Sequence, residues 1–347
     1  MSEAAGKKEY SYHTPAEFFK ILEKSPVKYT ISQVEDLTPF NLVEHSMESD
    51  QISQFHRIIV DTNKEKSLIE DVPKGKIAEL YEKAAHELQQ QNFLEVRKLY
   101  EEALSLDSTY FKTWTNLGDT YYLTGDYEEA ERLMKKALTL NEIGYQEYFF
   151  LADIYDRMHR SDEAIDAIAH AYMLNKNSLN VQRAVNRLLD NNGFRLREDR
   201  LVFPFQIKRT GISECEIQLR KADGLNWMGM ANCMACWEME PQFHDRLVSE
   251  DRLNATMDMY RECLANQGVI MAGRKNKGEP LSKTEELLTD ALLNHYINPI
   301  IYWEIMAGEV PRLMLLLPAE TREQIVEYIK KYVFEKVDNN SSVPDEN

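Results

Sequence analysis

The sequence predicts a mainly α-helical chain whose middle is a solenoid of stacked helix pairs. Three observations carry that expectation. Residues recur at a spacing of 34: Val96, Ala130 and Ala164; Ala103, Ala137 and Ala171; Leu106, Leu140 and Leu174. The pattern W-x2-L-G-x2-Y of Trp114, Leu117, Gly118 and Tyr121 returns 34 residues later as Tyr148, Leu151, Ala152 and Tyr155. Small residues (Gly118, Ala130, Ala137) stand where two helices of a pair cross closely, and large ones (Trp114, Tyr121) fill the gaps between them. One such pair cannot bury its apolar face alone, so pairs stack and leave a concave surface suited to gripping another chain.

These residues resemble the tetratricopeptide repeat, a helix pair of 34 residues, over about 100 of the 347 residues. The second repeat runs from Phe111 to about Ile143. Its turn is Gly125-Asp126, and Asp126 with Glu129 starts the second helix as a capping-box variant. The third runs from about Gly144 to Asn177 and turns at His159-Arg160-Ser161, with Ser161 expected as N-cap. The first is degenerate. Tyr81, Ala84, Ala85 and Leu88 fit it only if the turn before Phe93 is one residue shorter.

The resemblance implies that the first helix of each pair lines a groove. In the second repeat that face offers Lys112, Thr115, Asn116, Asp119, Tyr122 and Leu123. In the third it offers Gln146, Phe149, Phe150, Asp153, Asp156 and Arg157, and in the first Glu79, Glu82, Lys83, His86 and Gln89. Partner binding is expected at Lys112, Asn116, Asp119, Tyr122, Gln146, Phe149, Phe150, Asp153 and Arg157. The subfamily that clamps acidic chaperone C-termini uses Lys, Asn and Arg there. Only Asn116 matches; the other positions hold Glu82, His86, Gln146 and Phe150. Phe149 and Phe150 either anchor an apolar side chain of a partner or are covered by the N-terminal segment.

Composition narrows the function. A net charge of −17 and the lack of a basic patch disfavour nucleic acid. Residues 77–177 alone hold a net −9, so a basic partner would be steered to the array, although acidity also serves solubility. The polar start MSEAAGKKEYSY has no apolar h-region, and no run of 18 uncharged apolar residues occurs, so neither signal peptide nor membrane span is expected. Four cysteines argue against a disulfide framework and for a reducing cytoplasm.

Four divisions are expected along the chain: 1–75, an N-terminal segment packing on or covering the array; 76–192, the array with a capping helix; 193–338, a short hairpin plus a helical C-terminal domain; and 339–347, a disordered tail. Residues 1–10 read as disordered. Thr14-Pro15 starts a helix to about Lys24 that buries Phe18, Phe19 and Leu22. Residues 26–75 read as irregular, with apolar pieces at 27–31 and 58–60. Leu179 to Leu189 is the cap. Arg200 to Lys208 and Ile212 to Leu219 are short strands about Thr210-Gly211, the first demoted to an edge or bulge by Pro204. Helices are expected at 222–239, 249–267, 282–297, 299–317 and 319–337. Ser282 and Glu285 form a capping box, and Gly268, Gly273 and Gly278 punctuate the preceding loop.

Chemistry is sparse. Cys233-Met-Ala-Cys236 lacks the second pair of a zinc site, although Cys215, Cys263 or His244 could complete one. It sits mid-helix rather than at the helix N-terminus a redox thiol needs. Both cysteines are expected to be buried, reduced and metal-free. Gly273-Arg-Lys-Asn-Lys-Gly278 lacks the Lys-Ser/Thr ending of a P-loop and reads as a solvated loop. The eight histidines form no H-E-x-x-H, and no G-x-S-x-G occurs. The resulting expectation is a cytoplasmic, noncatalytic adaptor or assembly factor without cofactor, binding a basic protein segment with one apolar anchor. The alternatives are a chaperone for an exported or secretion-system protein and an enzyme with its site in the C-terminal region.

Overall fold

The computed structural model describes residues 12–37, 52–63, 65–198, 201, 203–307 and 310–337. In chain order the elements are α1 (Pro15–Lys24), β1 (Lys28–Val34), β2 (His56–Val60), β3 (Lys66–Glu70), α2 (Gly75–Gln89), α3 (Phe93–Leu106), α4 (Phe111–Leu123), α5 (Tyr127–Leu140), α6 (Tyr145–Arg157), α7 (Ser161–Leu174), α8 (Leu179–Asn191) and β4 (Phe194–Leu196). They continue with β5 (Phe205–Gly211), β6 (Glu214–Arg220), α9 (Met228–Met239), α10 (Pro241–Leu247), α11 (Arg252–Asn276), α12 (Lys283–Leu293) and α13 (Ile297–Pro299, extended by a π-helical turn Ile300–Met306). The last are α14 (Leu313–Leu316), α15 (Ala319–Tyr328, extended by a π-helical turn Ile329–Val333) and β7 (Phe334–Lys336). The tails expected to be disordered, 1–10 and 339–347, lie outside the described residues.

The chain divides into two compact units. One is drawn from residues 1–46 and 198–309, the other from 47–197 and 310–347. This differs from the four consecutive divisions expected from the sequence. The stretches 1–75 and 193–338 are each shared between the units, because strand pairing and helix packing join residues far apart in the chain.

In the repeat unit, α2 to α7 form three helix pairs and α8 follows as the cap. The turns repeat at 34: Gln91, Gly125 and His159 each adopt a left-handed φ of 58°, 82° and 58°. Asn92 N–H reaches Glu87 O at 3.0 Å, Asp126 reaches Tyr121 O at 3.0 Å, and Arg160 reaches Tyr155 O at 2.8 Å. The first repeat is therefore full length, and the shortened turn expected before Phe93 is absent. Its degeneracy lies in the side chains alone. Ala84 stands 34 residues before Gly118 and is fully buried like it, whereas Ala85 is exposed. The third turn also departs from expectation: Ser161 is the first helical residue, and Arg160 precedes it.

Gly118 marks the expected close crossing. A Cβ there would sit 3.1 Å from Met134 Cε and 3.2 Å from Leu133 Cβ, with Ala130 O at 3.5 Å. Around it Val96, Tyr100, Leu117 and Leu133 form a buried cluster flanked by Trp114 and Tyr121. Each fully buried aliphatic side chain there contributes about 1.5–3 kcal/mol of burial.

Two further pieces complete this unit. The antiparallel hairpin β2–β3 is held at the corners between repeats. Asn141 Nδ2 donates to His56 O (3.0 Å), Asn175 Nδ2 to Ile52 O (3.4 Å) and Tyr110 OH to Asp71 O (2.8 Å). Asn141 and Asn175 are themselves one repeat apart. At the other end of the chain β7 pairs with β4, and α15 lies on α7. His170 Nε2 meets Glu323 at 3.1 Å, Arg322 meets Glu142 at 2.9 Å, and Lys330 meets Asp166 at 2.6 Å.

The second unit is built on a three-stranded sheet of order β1-β6-β5. The expected hairpin is β5–β6, and β5, which follows Pro204, is an edge strand. β1 joins β6 in parallel, Thr30 opposite Glu216. Thr14 closes a capping box on α1 with Glu17, and Phe18 is buried, but Phe19 is 53% exposed where burial was expected. Glu262 on α11 is fully buried and accepts from Trp237 Nε1 (2.7 Å) and meets His13 Nδ1 (2.9 Å). Glu240 accepts from the hydroxyls of Ser25 and Tyr29, both at 2.5 Å.

Two expectations fail here. Cys233 is not a reduced thiol: it is bonded to Cys263, with a Cα–Cα distance of 5.3 Å, because α9 packs on α11. Cys215 and Cys236 are free and buried. The bonded pair removes the inference of a reducing compartment from cysteine count. Gly268 and Gly273 are not in a loop, because α11 runs through both to Asn276. A Cβ on Gly268 would lie 2.9 Å from Leu292 Cδ1, so that glycine serves the packing of α12. Only Gly278, with φ 74°, takes the left-handed conformation beyond the helix. Arg274 accordingly faces Glu285 and Glu279 rather than bulk water. Ser282 and Glu285 do form the expected capping box.

Candidate functional site

The first helices α4 and α6, with α8 beyond them, carry a row of polar groups joined across the repeat spacing. Lys112 Nζ donates to Gln146, 34 residues on, and Arg187 donates to Asp153, 34 residues back. Tyr122 OH donates to the same Asp153. Thr115 donates to Glu147, and the amides of Asn191 and Asn192 hold Asp156 at 3.1 and 3.2 Å. The same face of each helix is brought into register by stacking, so side chains at equivalent positions meet.

The nine expected residues do not all stand at the surface. Lys112 is 2% exposed. Its ammonium is held by Gln146 and lies 5.8 Å from the centre of the Phe55 ring. Lys112 therefore belongs to the floor of the groove and not to the exposed face on which it was expected. Asn116, Asp119, Tyr122, Gln146, Phe149, Phe150 and Asp153 are half-buried, and Arg157 is exposed. Phe149 and Phe150 meet edge to face at 5.7 Å, and Phe150 lies 6.1 Å from Tyr122. These three rings make an aromatic wall. The expected face of the first repeat is not part of it. Glu79, Glu82, Lys83 and His86 instead border an open depression with Glu95 and Leu99 of α3.

Burial sets the electrostatics. The Asp119 carboxyl is pushed up to about 6 by desolvation, which nearby Lys112 only partly offsets. Burial lowers the Lys112 ammonium, opposed by Glu147 and Asp119. Burial and the Asp153 carboxylate push the Tyr122 hydroxyl up to about 12. Glu147, 1% exposed, keeps Oε2 without a partner.

Sequence reasoning missed Glu147, Arg187, Asn191, Asn192 and Phe55. Arg187 carried a signal, since it stands one repeat after Asp153. Phe55 carried none, because the hairpin that positions it lies outside the periodic region.

In the second unit a small cavity of about 230 Å³ is lined by Ile207, Arg209, Met234, Glu238 and Met239. Ligand pockets usually run to about 300–1,000 Å³. Among the described residues no group of three or more His, Cys, Asp or Glu could hold a metal ion. No helix of the described residues is long and apolar enough to cross a membrane.

Stacked helix pairs with a polar and aromatic face define an α-solenoid of the protein-interaction class. Residues 76–143 match the family model described as tetratricopeptide repeat. No curated protein matches the chain. Solved structures similar to it include the Arabidopsis OM64 TPR domain, at 18% identity and a TM-score of 0.32, covering 33% of this chain and 98% of that one. The MamA protein is similar at 14% identity and a TM-score of 0.31, covering 70% of this chain and 97% of that one. A chain in the structure of Naa15/Naa10 bound to HypK-THB is similar at 19% identity and a TM-score of 0.30, covering 74% of this chain and 34% of that one.

Proposed function

We propose that the array is a noncatalytic docking module, of adaptor or assembly-factor type, that takes an extended or helical protein segment in its groove. The observation that carries this reading is the aromatic wall of Tyr122, Phe149 and Phe150 above a floor of half-buried carboxylates, in an array of net charge −9. A partner segment with one apolar side chain and a neighbouring Lys or Arg complements both features. Acidity outside the contact speeds encounter and fades with salt.

The test is photo-crosslinking from p-benzoylphenylalanine placed at position 149, in extract of the native host. The expected product is a second protein, crosslinked in a yield that falls as salt rises from 50 to 500 mM. Crosslinks confined to residues 1–75 of the same chain would assign the groove to the protein's own N-terminal segment and end the docking reading.

A further inference from the structure

On the groove face of α4 and α6 stand three aspartates: Asp119, Asp153 and Asp156. Two are used internally. Asp153 takes the Arg187 guanidinium and the Tyr122 hydroxyl, and Asp156 takes the Asn191 and Asn192 amides. Asp119 makes no hydrogen bond or ion pair among the described residues, although it is half-buried.

The repeat spacing explains the difference. Asp119 and Asp153 are equivalent positions, 34 apart. The residue one repeat after Asp153 is Arg187, which neutralises it. The residue one repeat after Asp119 is Asp153, another acid. The hydroxyl that Asp153 receives comes from Tyr122, one repeat before Asp156. The residue one repeat before Tyr122 is Leu88, which has nothing to donate. Asp119 thus stands in a geometry that elsewhere in this chain holds a guanidinium, with both donors missing. The groups that face it are Lys112, whose ammonium is committed to Gln146, and the Tyr100 hydroxyl beside Asn116. The same floor also holds the Glu147 carboxylate oxygen that lacks a partner.

A desolvated carboxylate without a partner costs stability. Its pushed-up proton affinity reports that cost. A side chain that weakens the fold and makes no internal bond, one helical turn from an aromatic wall, is placed for a ligand. We infer, resting on the docking reading above, that Asp119 is the cation-receiving subsite of the groove. It accepts the guanidinium of an arginine from the docked segment, as Asp153 accepts that of Arg187. The arginine stem then runs along Tyr122, next to the apolar anchor at Phe150.

The test uses fluorescein-labelled Gly-Ser decapeptides carrying one leucine and one arginine at separations of one to four residues. Twins carry citrulline, which keeps the shape and removes the charge, in place of arginine. Anisotropy titrations on the full chain at pH 7 should show the best arginine peptide binding about tenfold tighter than its twin. Asp119→Asn should abolish that preference, and Glu128→Gln, an exposed acid on α5, should keep it. The preference should also shrink from pH 7 to pH 5. In parallel, the melting temperature of Asp119→Asn should rise at pH 7. An Asp119 that served the fold would instead lower it, which overturns the inference without any ligand. An arginine preference that survives Asp119→Asn, while Phe150→Ala still weakens binding, overturns the inference and leaves the docking reading standing. Binding that ignores Phe150→Ala, or no binding of any peptide, removes the docking reading and the inference with it.

Discussion

The two units of this chain are held together in opposite ways. In the repeat array each helix pair packs on its sequence neighbours, and even the polar contacts of the groove join residues about 34 apart. In the other unit the decisive contacts join residues near the N-terminus to residues some 180 to 250 positions later. β1 pairs with β6, Glu240 holds Ser25 and Tyr29, and Glu262 holds His13. The first kind of unit tolerates degeneracy. The first repeat lacks the side chains of the second, yet its turn and buried alanine are in register. The second kind has no spare neighbour: whatever removes one end of the chain removes an edge of the sheet and the donors of two buried carboxylates. A periodic unit can therefore lose one polar contact, as at Asp119, without losing its neighbours' packing, whereas a unit built on unique long-range contacts depends on each of them.

The sharpest way to break this contrast is truncation. Deleting residues 1–37 should unfold the second unit, an effect of the order of its whole stability, about 5–15 kcal/mol. Hydrogen exchange should show α9 and α11 unprotected while α4 to α7 keep their protection. Equal loss in both units would erase the distinction. The next effect is Gly118→Leu. Met134 and Leu133 already lie within 3.2 Å of where its Cβ would sit, so overpacking should cost about 1–3 kcal/mol or more. An unchanged melting temperature would mean that the crossing yields freely.

Asp119→Asn should act in the other direction. A carboxyl raised to about 6 in the folded state, from about 3.9 unfolded, binds its proton more tightly when folded. The native protein should therefore lose stability as pH climbs from 4 to 6 and remain low above that. The variant should lack this slope and gain roughly 1–2 kcal/mol at pH 7, after discounting for partial exposure. Denaturant titrations at pH 4.5 and 7 check the sign.

A smaller effect is expected where α15 meets the array. Burial opposes charge on His170, but Glu323 and the Asp166 carbonyl outweigh it, so its proton is held more firmly than usual. A raised folded-state value means the contribution is complete below the unfolded value of about 6.5 and is lost as pH rises past the folded one. Stability should fall as pH rises through the range above about 6.5. His170→Gln should remove that drop, and exchange in α15 should report it. The last test changes no stability. Denatured without reductant, the protein should alkylate at two cysteines, Cys215 and Cys236, and after reduction at four. Four without reductant would refute the Cys233–Cys263 bond.

By itself the sequence determined the array: its period, the Gly118–Ala130 crossing, the Asp126 cap, the capping helix and the face on which Asp119, Tyr122 and Phe150 stand. These features arise between neighbours, so spacing alone specifies them. The β5–β6 hairpin and the Ser282 capping box were legible for the same reason. Tertiary structure decided the rest. Which end of the chain β1 joins, that Cys233 meets Cys263 rather than remaining a thiol, and that Gly268 lies inside a helix depend on partners no local pattern announces. So does the state of each groove residue. Lys112, Asp119 and Asp153 read alike as polar groove positions. Folding buries the first near Phe55 and satisfies the third through Arg187, and it leaves the second without a partner among the described residues, because desolvation and hydrogen bonding are fixed by what surrounds a side chain and not by its place in the repeat.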